Sequence, residues 1–301
     1  MPSRIVASVA VVACLAGCTS LLPAPAALPL SGDASVRIAY VAYPVITPKA
    51  TLQVAGVLRV PRSAIGPAPA VLIVHGSGGV DGRGQALANE LNSAGIATFE
   101  IDLWTPRGVR SPAERPKHVA ETLPDVYAAF QVLAANSAID KTRIGITGFS
   151  WGGVVSMLTA TSKYSEQYLG KEMKFAAHAP HYPVCWAYNR APGYTFRDLT
   201  GAPILIQAGE LDDYDQPDTC PKLIASLPDK DRALIKFRIY PEATHGWDSS
   251  LPPMTYNDPY AHLGKGGEFR FFPNPKVAVQ SRAAAVQFFR CSFGMSGCVP
   301  A

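Results

Sequence analysis

The chain has 301 residues, of which 48% are hydrophobic and 17% are charged, and its formal net charge at pH 7 is +4. This length is sufficient for one α/β domain with a full core. The charge is not concentrated in a basic block, which argues against nucleic acid as a partner, and the sequence shows neither an internal repeat nor a second composition regime.

The N-terminal segment has the pattern of a bacterial export signal, in which Arg4 precedes a short apolar core and small residues follow. The run from Leu15 to Cys18 resembles the lipobox of bacterial lipoproteins. That resemblance implies that residues 1–17 are removed and that Cys18 becomes the lipidated first residue. In an ordinary secretory signal, Cys18 would be incidental. Because Thr19 follows the cysteine in place of Asp, we expect a lipid anchor in the outer membrane of the bacterial cell envelope, facing the periplasm.

Residues 18–34 are rich in Pro and Ala and lack helical or strand periodicity, as expected for the lipidated cysteine and a flexible tether. Residues 35–301 are predicted to form a single domain. It opens with two strand-like segments, 35–43 and 51–60, whose alternating pattern suits an antiparallel pair at the edge of a sheet.

The remainder of the domain alternates strands with helices, which predicts an α/β fold with a doubly wound, mostly parallel sheet. The predicted strands are 70–74, 96–101, 143–147, 175–179, 204–208 and 234–240, and the predicted helices are 83–94, 116–135, 221–226 and 275–290. The carboxyl ends of parallel strands are where such sheets place their chemistry.

The third of these strands leads into Gly-Phe-Ser-Trp-Gly at positions 148–152, and an apolar helical stretch follows. A serine between two glycines at a sharp strand-to-helix turn is the nucleophile elbow of α/β-hydrolases. The glycines remove side chains that would collide within so sharp a turn. The pattern therefore predicts Ser150 as a nucleophile, and the alternative is an ordinary turn serine.

A serine hydroxyl requires a base, and His245, which follows the last predicted strand, is the candidate. The base requires a carboxylate that holds its tautomer, and Asp212 and Asp213 follow the strand 204–208. We prefer Asp212, and Asp213 stays an alternative. The order Ser150, Asp212, His245 is that of α/β-hydrolases.

Backbone amides are expected to stabilise the oxyanion that forms when the serine attacks. Trp151 supplies one amide, because it directly follows the nucleophile. The Gly-rich loop 75–79 supplies another, with Ser77 as the first candidate and Gly78 as the next. The loop could instead cradle a phosphate, but the Gly-Lys-Ser/Thr of a P-loop is missing after it.

Several aromatic residues and one arginine lie after predicted strand ends and are candidates for substrate binding. Tyr182 and Trp247 suggest a pocket for an apolar or aromatic acyl group, although aromatic residues there can equally pack as core. Arg107 could bind a substrate carboxylate through its guanidinium group, and a structural ion pair is the alternative.

Four cysteines remain after the export signal and Cys18 are set aside. In an oxidising compartment they predict two disulfides, for which we favour the pairs Cys185–Cys220 and Cys291–Cys298. The competing interpretation is a metal site, but neither Cys-x-x-Cys nor a His pair at ligand spacing supports it. We therefore predict that no metal is bound.

From about Ala70 to Phe289 the chain resembles the dienelactone hydrolase family of α/β-hydrolases. The resemblance is carried by residues 74–79, 140–153, 209–213 and 283–289 and by Tyr240 with His245. It implies an α/β-hydrolase fold and hydrolysis of small esters or lactones through a covalent acyl-enzyme, without metal or other cofactor. Founding members carry a cysteine nucleophile where this chain has Ser150.

Three functions follow from these features. The first is a lipid-anchored serine hydrolase that cleaves small carboxylic esters or lactones through an acyl-enzyme at Ser150. The second is a serine peptidase of the prolyl-oligopeptidase type. Such peptidases usually carry an N-terminal propeller domain, and the segment before Ala70 is too short to form one. The third is a non-catalytic envelope lipoprotein, against which stands the complete Ser, Asp and His set.

Overall fold

The computed structural model describes residues 35–48 and 50–298. The predicted signal peptide, the lipidated Cys18 and the tether lie outside the described residues. Within the described part of the chain, no helix combines the length and the apolar character needed to cross a bilayer.

The domain is built on one eight-stranded sheet whose strands are ordered β1-β2-β4-β3-β5-β6-β7-β8. β1 and β2 pair antiparallel, β2 joins β4 antiparallel, and the other pairs are parallel. This arrangement confirms the predicted, mostly parallel sheet with antiparallel strands at its N-terminal edge. The strands are β1 (Val36–Ile46), β2 (Thr51–Pro61), β3 (Ala68–Val74), β4 (Ala97–Asp102), β5 (Ile139–Phe149), β6 (His178–His181), β7 (Ile204–Gly209) and β8 (Ile235–Tyr240).

β3 lies near the middle of the sheet, and every one of its residues is buried. Its side chains alternate between two cores. Leu72 and Val74 face one core and Val71 and Ile73 the other, so both faces of the strand are covered, as its continuously apolar sequence predicts.

Helices cover both faces of the sheet. They are α1 (Gly82–Ser93), α2 (Leu123–Ala135), α3 (Trp151–Thr159), α4 (Ser162–Leu169), α5 (Thr219–Ala225), α6 (Asp229–Arg232), the distorted turn α7 (Ala261–Gly264) and α8 (Pro275–Ser292). Side chains of α2 and α3 pack in one core and those of α1 and α8 in the other. The sheet is therefore doubly wound.

The predicted helix 116–135 is wrong at its start, because α2 begins at Leu123 after a 3₁₀ turn, Val119–Thr122. Pro124 lies in the first turn of α2, where its missing N–H has no intrahelical acceptor to lose. A proline ring clashes with the preceding turn of a helix, so regular helix cannot extend further towards the N-terminus. Pro124 therefore marks the start of α2.

Further differences concern strands. β5 begins at Ile139, four residues earlier than predicted. β6 begins at His178, three residues later than predicted. A hairpin formed by β9 (Met254–Asp258) and β10 (Gly267–Phe271) lies between β8 and α8 and was not predicted.

Candidate active site

Ser150 occupies the turn between β5 and α3 with φ 52° and ψ −106°. These angles are unfavourable for a residue with a side chain, and such strain is concentrated at functional sites. The turn is also tightly packed, because a Cβ at Gly152 would overlap the carbonyl group of Val74 and a Cβ at Gly148 would overlap the backbone of Gly152. The turn at Ser150 thus has the shape of the predicted elbow.

Asp212 and His245 follow β7 and β8, and the structure brings them into contact. His245 Nδ1 lies 2.8 Å from Asp212 Oδ2, and both side chains are buried. In this arrangement the Nδ1 proton is donated to the carboxylate, and Nε2 is left as the basic nitrogen.

Asp213, the alternative partner, points to a different group. Its carboxylate accepts hydrogen bonds from the Arg270 side chain at 2.6 and 2.9 Å and from the Arg270 amide at 2.8 Å. Burial alone would raise the pKa of Asp213, but the hydrogen bonds from Arg270 outweigh it and hold that pKa below its ordinary value. The geometry therefore pairs Asp212, and not Asp213, with the histidine.

The imidazole of His245 is enclosed by aromatic rings. The ring centroids of Tyr182 and Tyr214 lie 4.6 Å from it and that of Phe269 lies 5.8 Å away. Its Nε2 is buried and has no hydrogen-bond partner among the described residues, so the bond to Ser150 is unformed in this structure. Such contacts are commonly long without substrate and tighten in the reactive complex.

A cavity of about 250 Å³ opens at Ser150. Its lining is mostly aromatic and aliphatic, and both charged side chains in it, Arg115 and Lys117, are basic. The Arg115 guanidinium lies over two rings, 5.6 Å from the centroid of Trp151 and 5.0 Å from that of Tyr260. A cation held in this way keeps its hydrogen-bond donors available.

The predicted oxyanion donors lie around the same cavity. Trp151 is the first residue of α3, where an amide has no intrahelical acceptor, and Ser77 lines the cavity with Ser150. The loop of Ser77 is closed by a hydrogen bond from Gly79 N to Gly76 O at 3.1 Å. Gly78, the second candidate in that loop, is not among the residues that line the cavity.

Two buried side chains hold this loop in place. The Trp104 indole donates to the Ser77 carbonyl at 3.0 Å. His75 lies between Gly76 O, 2.7 Å from Nδ1, and the Leu103 amide, which donates to Nε2 at 2.9 Å. Burial lowers the pKa of His75, which suits a neutral ring that donates from one nitrogen and accepts at the other.

None of the three predicted substrate-binding residues lines the cavity at Ser150, so this part of the prediction is wrong. Arg107 donates to both carboxylate oxygens of the buried Asp125, at 2.6 and 2.8 Å, so the alternative of a structural ion pair is correct. Tyr182 and Trp247 are core residues that do not line the cavity. Their polar atoms are satisfied internally, Tyr182 by Asp248 at 2.5 Å and Trp247 by Ser281 at 3.0 Å.

Sequence reasoning missed the basic pair Arg115 and Lys117. They lie in the irregular segment between β4 and α2, where neither strand nor helix period indicates which side chains face inward. The sequence signal for this pair is the pattern Arg-Pro-Lys at 115–117. The proline restricts the backbone between the two cationic residues.

The two disulfides join Cys185 to Cys220 and Cys291 to Cys298, which confirms the predicted pairing. In the described residues, one group has the spacing of metal ligands, namely Cys185, Asp215 and Cys220. Its two sulfurs are bonded to each other and are not thiolates, so the group lacks the donors that a metal ion needs there.

Comparison with known proteins locates the chain among hydrolases. Residues 54–273 match the model of the dienelactone hydrolase family. No match was found among curated protein sequences.

Several solved structures share the fold. A dienelactone hydrolase-like promiscuous phosphotriesterase from metagenomic libraries superimposes with a TM-score of 0.60 at 16% identity, over 85% of this chain and 99% of its own. Esterase 2 of Thermogutta terrifontis, phosphorylated by paraoxon, gives 0.59 at 13% identity, over 89% and 97%. An α/β-hydrolase from a Medee basin deep-sea metagenome library gives 0.56 at 16% identity, over 85% and 99%. These similarities confirm the predicted α/β-hydrolase fold.

Proposed function

The chain belongs to the dienelactone hydrolase family, and we propose that it is a serine hydrolase that cleaves small carboxylic esters or lactones. The observation that carries the proposal is the buried Asp212–His245 pair, which follows β7 and β8 at the same end of the parallel sheet as the strained Ser150. A carboxylate, an imidazole and a partly buried serine hydroxyl at one edge form the set that acyl transfer requires.

In the proposed reaction, Ser150 Oγ rotates toward His245 Nε2, gives its proton to that nitrogen and attacks the carbonyl carbon of the ester. Asp212 stabilises the resulting imidazolium through the hydrogen bond to Nδ1. The negative charge on the tetrahedral oxygen is stabilised by the amides of Trp151 and Ser77, and each such donor contributes on the order of 10²–10³ in rate.

The imidazolium then donates its proton to the leaving alkoxide, which departs and leaves an acyl group on Ser150. A water molecule attacks this ester in the second half of the reaction, with Nε2 of His245 again accepting the proton. The imidazolium then returns that proton to Ser150 Oγ as the bond from Oγ to the acyl carbon breaks, which releases the carboxylic acid and regenerates the enzyme. In a lactone, the leaving alkoxide stays attached to the acyl group, and the product is one hydroxy acid.

The character of the cavity supports a small substrate. Its volume of about 250 Å³ lies below the roughly 300–1,000 Å³ of sites for drug-sized ligands. Its aromatic lining suits an apolar acyl group, and the basic Arg115 and Lys117 disfavour a cationic substrate. The esterases among the structural neighbours are consistent with this class of reaction.

The proposal is tested with the purified full-length protein in detergent. Hydrolysis of p-nitrophenyl acetate is measured beside hydrolysis of a dipeptidyl-proline amide, for wild type and Ser150→Ala. We expect ester turnover that the substitution reduces by about 10⁴-fold or more with the unfolding midpoint retained. Faster cleavage of the amide would favour the peptidase alternative, and failure of a fluorophosphonate to label wild type would contradict any serine hydrolase.

We also propose that Cys18 carries the lipid that anchors the enzyme at the periplasmic face of the outer membrane. The oxidised pairs Cys185–Cys220 and Cys291–Cys298 support an exported protein, because structural disulfides are rare in the cytosol. Metabolic labelling with palmitate in a bacterial host tests the anchor. We expect label in wild type and none in Cys18→Ser, and equal label in both would contradict it.

A further inference from the structure

A second cavity lies beside the one at Ser150, and Trp186 is the residue common to both linings. The second cavity has a volume of about 240 Å³, nearly that of the first. The two linings interleave along the chain, since Ala187 and Tyr214 face the first cavity and Tyr188 and Gln216 face the second. The two spaces are therefore separated by the segment around Trp186.

The position of Trp186 is fixed by covalent and polar contacts. The preceding residue, Cys185, is bonded to Cys220 of α5. The carboxylate of Asp215 accepts hydrogen bonds from the amides of both Cys185 and Trp186, the latter at 3.0 Å. These contacts fix the backbone of the 3₁₀ turn Cys185–Ala187, and with it the position of the Trp186 Cβ, from which the indole extends.

The far end of the indole fits against a glycine. A Cβ at Gly264 would lie 2.6 Å from Cη2 of Trp186, which is closer than Cβ atoms approach other carbons. The absence of a side chain at position 264 therefore leaves the space that the ring occupies. Backbone and ring are both in close contact with their neighbours, so the indole forms a wall between the two cavities.

This wall carries an unused donor. The Nε1–H group of Trp186 is shielded from solvent and has no hydrogen-bond partner among the described residues. The indoles of Trp104, Trp151 and Trp247 all donate to a protein acceptor. A buried donor without an acceptor is costly, and an oxygen atom of a bound ligand would satisfy it.

We propose that Trp186 determines the length of substrate that this enzyme accepts, by closing the Ser150 cavity against the second cavity. This inference rests on the proposed function. With the indole in place, an acyl chain in the first cavity cannot extend into the second, so short-chain esters are expected to fit better than long-chain esters. Without it, the two cavities merge into a site of roughly twice the volume.

The first test needs no variant. The ratio kcat/KM is measured for p-nitrophenyl acetate, butyrate and octanoate with the wild-type enzyme. We expect a fall of at least about tenfold from butyrate to octanoate, since a pocket of fixed length discriminates by about this factor or more per misfitting group. A flat profile up to octanoate would overturn the proposal.

Variants then test the residue. Trp186→Ala is expected to raise the ratio of octanoate to acetate turnover by about tenfold or more, whereas Trp186→Phe, which keeps a ring but lacks the N–H, is expected to keep the short-chain profile. The double variant Trp186→Ala with Leu223→Trp refills the second cavity from α5 and should reverse the gain. An unchanged profile in Trp186→Ala, with a folded protein, overturns the proposal.

A binding measurement keeps the inference separate from the catalytic assignment. Calorimetry with butyrate and octanoate, the acids that these esters would release, reads the shape of the cavity without turnover. Octanoate is expected to bind Trp186→Ala more tightly than wild type. If no ester is hydrolysed and this difference is still seen, the proposed function fails and the inference stands. If esters are hydrolysed and the difference is missing, the inference alone fails.

Discussion

The two sides of the active site are held by different kinds of contact. On the nucleophile side, the turn at 148–152 is fixed by backbone packing, because Gly148 and Gly152 lie against main-chain atoms of Gly152 and Val74. On the other side, Asp212 and His245 lie in two loops that other side chains hold. We refer to these as the elbow (148–152) and the acid–base loops (209–213 and 241–246).

The acid–base loops depend on the hairpin β9–β10, which is distant in sequence from β7. Arg270 of β10 binds the carboxylate of Asp213, and Phe269 packs against the imidazole of His245. Thr244 exchanges hydrogen bonds with the backbone of Phe272, at 3.0 Å in each direction. The elbow therefore has its shape set by five adjacent residues, whereas the acid–base loops are held by a hairpin that lies outside the eight-stranded sheet.

The largest expected effect breaks the elbow. In Gly152→Ala the added methyl group meets the carbonyl of Val74, which belongs to the central strand and cannot move aside. We expect a loss of about 3 kcal/mol in the free energy of unfolding, measured by urea titration. Gly78→Ala is the control, because a Cβ there has nothing within 4 Å. Equal stability of the two variants would contradict backbone packing as the origin of the turn.

The next effect separates the two aspartates of the acid–base loops. Asp212→Asn is expected to lower kcat for p-nitrophenyl acetate by about 10³–10⁴-fold, because an amide no longer stabilises the imidazolium and favours the wrong tautomer. Asp213→Asn is the matched control, and it should lower kcat by less than about tenfold because its partner is Arg270. If the two effects are reversed, Asp213 is the partner of His245 in solution.

A smaller effect tests whether the hairpin holds the loops. In Arg270→Gln the buried carboxylate of Asp213 loses its charged partner, which we expect to cost about 1–3 kcal/mol in the free energy of unfolding. We expect kcat to fall several-fold through displacement of the loop, and Arg270→Lys to recover part of it. Thermal unfolding and steady-state kinetics measure both. A kcat equal to that of wild type would mean that the loop keeps its position without the contact from Arg270.

The last effect is a pH dependence beside the acid–base loops. Burial, and then the nearby Asp212, raise the pKa of Asp215 from 3.8 to about 7. Because the folded-state pKa lies above the unfolded value, the stabilisation from this group is complete below about pH 4 and is lost as the pH rises through about 7. Relative to Asp215→Asn, wild type should therefore lose stability between about pH 4 and 7, with a slope of at most about 1.4 kcal/mol per pH unit, and change little above that range.

Urea titrations of both proteins at intervals across that range measure the difference in unfolding free energy. Comparison with the variant cancels the titration of Glu100, whose pKa is also raised to about 7 by burial. A difference that does not change with pH would show that Asp215 keeps its charge throughout, held by the amides of Cys185 and Trp186.

Much of the fold could be predicted because hydrophobic period and strand length are local properties. The apolar run in β3, the alternation in β1 and the proline and glycine boundaries are all visible in the sequence, and the structure has an element at each predicted strand. The start of α2 and the hairpin β9–β10 were missed. The first depends on which of several prolines begins the helix, and the second is an exposed pair with weak alternation.

The candidate site divides in the same way. The elbow sequence, the Gly-rich loop and the order of Ser150, Asp212 and His245 indicate the proposed reacting groups, because chemistry restricts which residue types can serve at the ends of strands. The substrate-binding residues could not be identified in this manner. The three predicted residues, Arg107, Tyr182 and Trp247, are of types that bind substrates and lie after strand ends. Each instead forms a hydrogen bond inside the protein, with Asp125, Asp248 and Ser281 respectively.

The sequence by itself determined the layered α/β architecture, the disulfide partners and the proposed nucleophile with its two candidate acids. Only the tertiary structure decided that Asp212 contacts the histidine, that Arg115 and Lys117 face the cavity and that Trp186 divides it from a second one. The physical reason is that backbone preference and hydrophobic period act over a few residues, whereas the direction of a polar side chain is set by whichever partner the fold brings within about 3 Å.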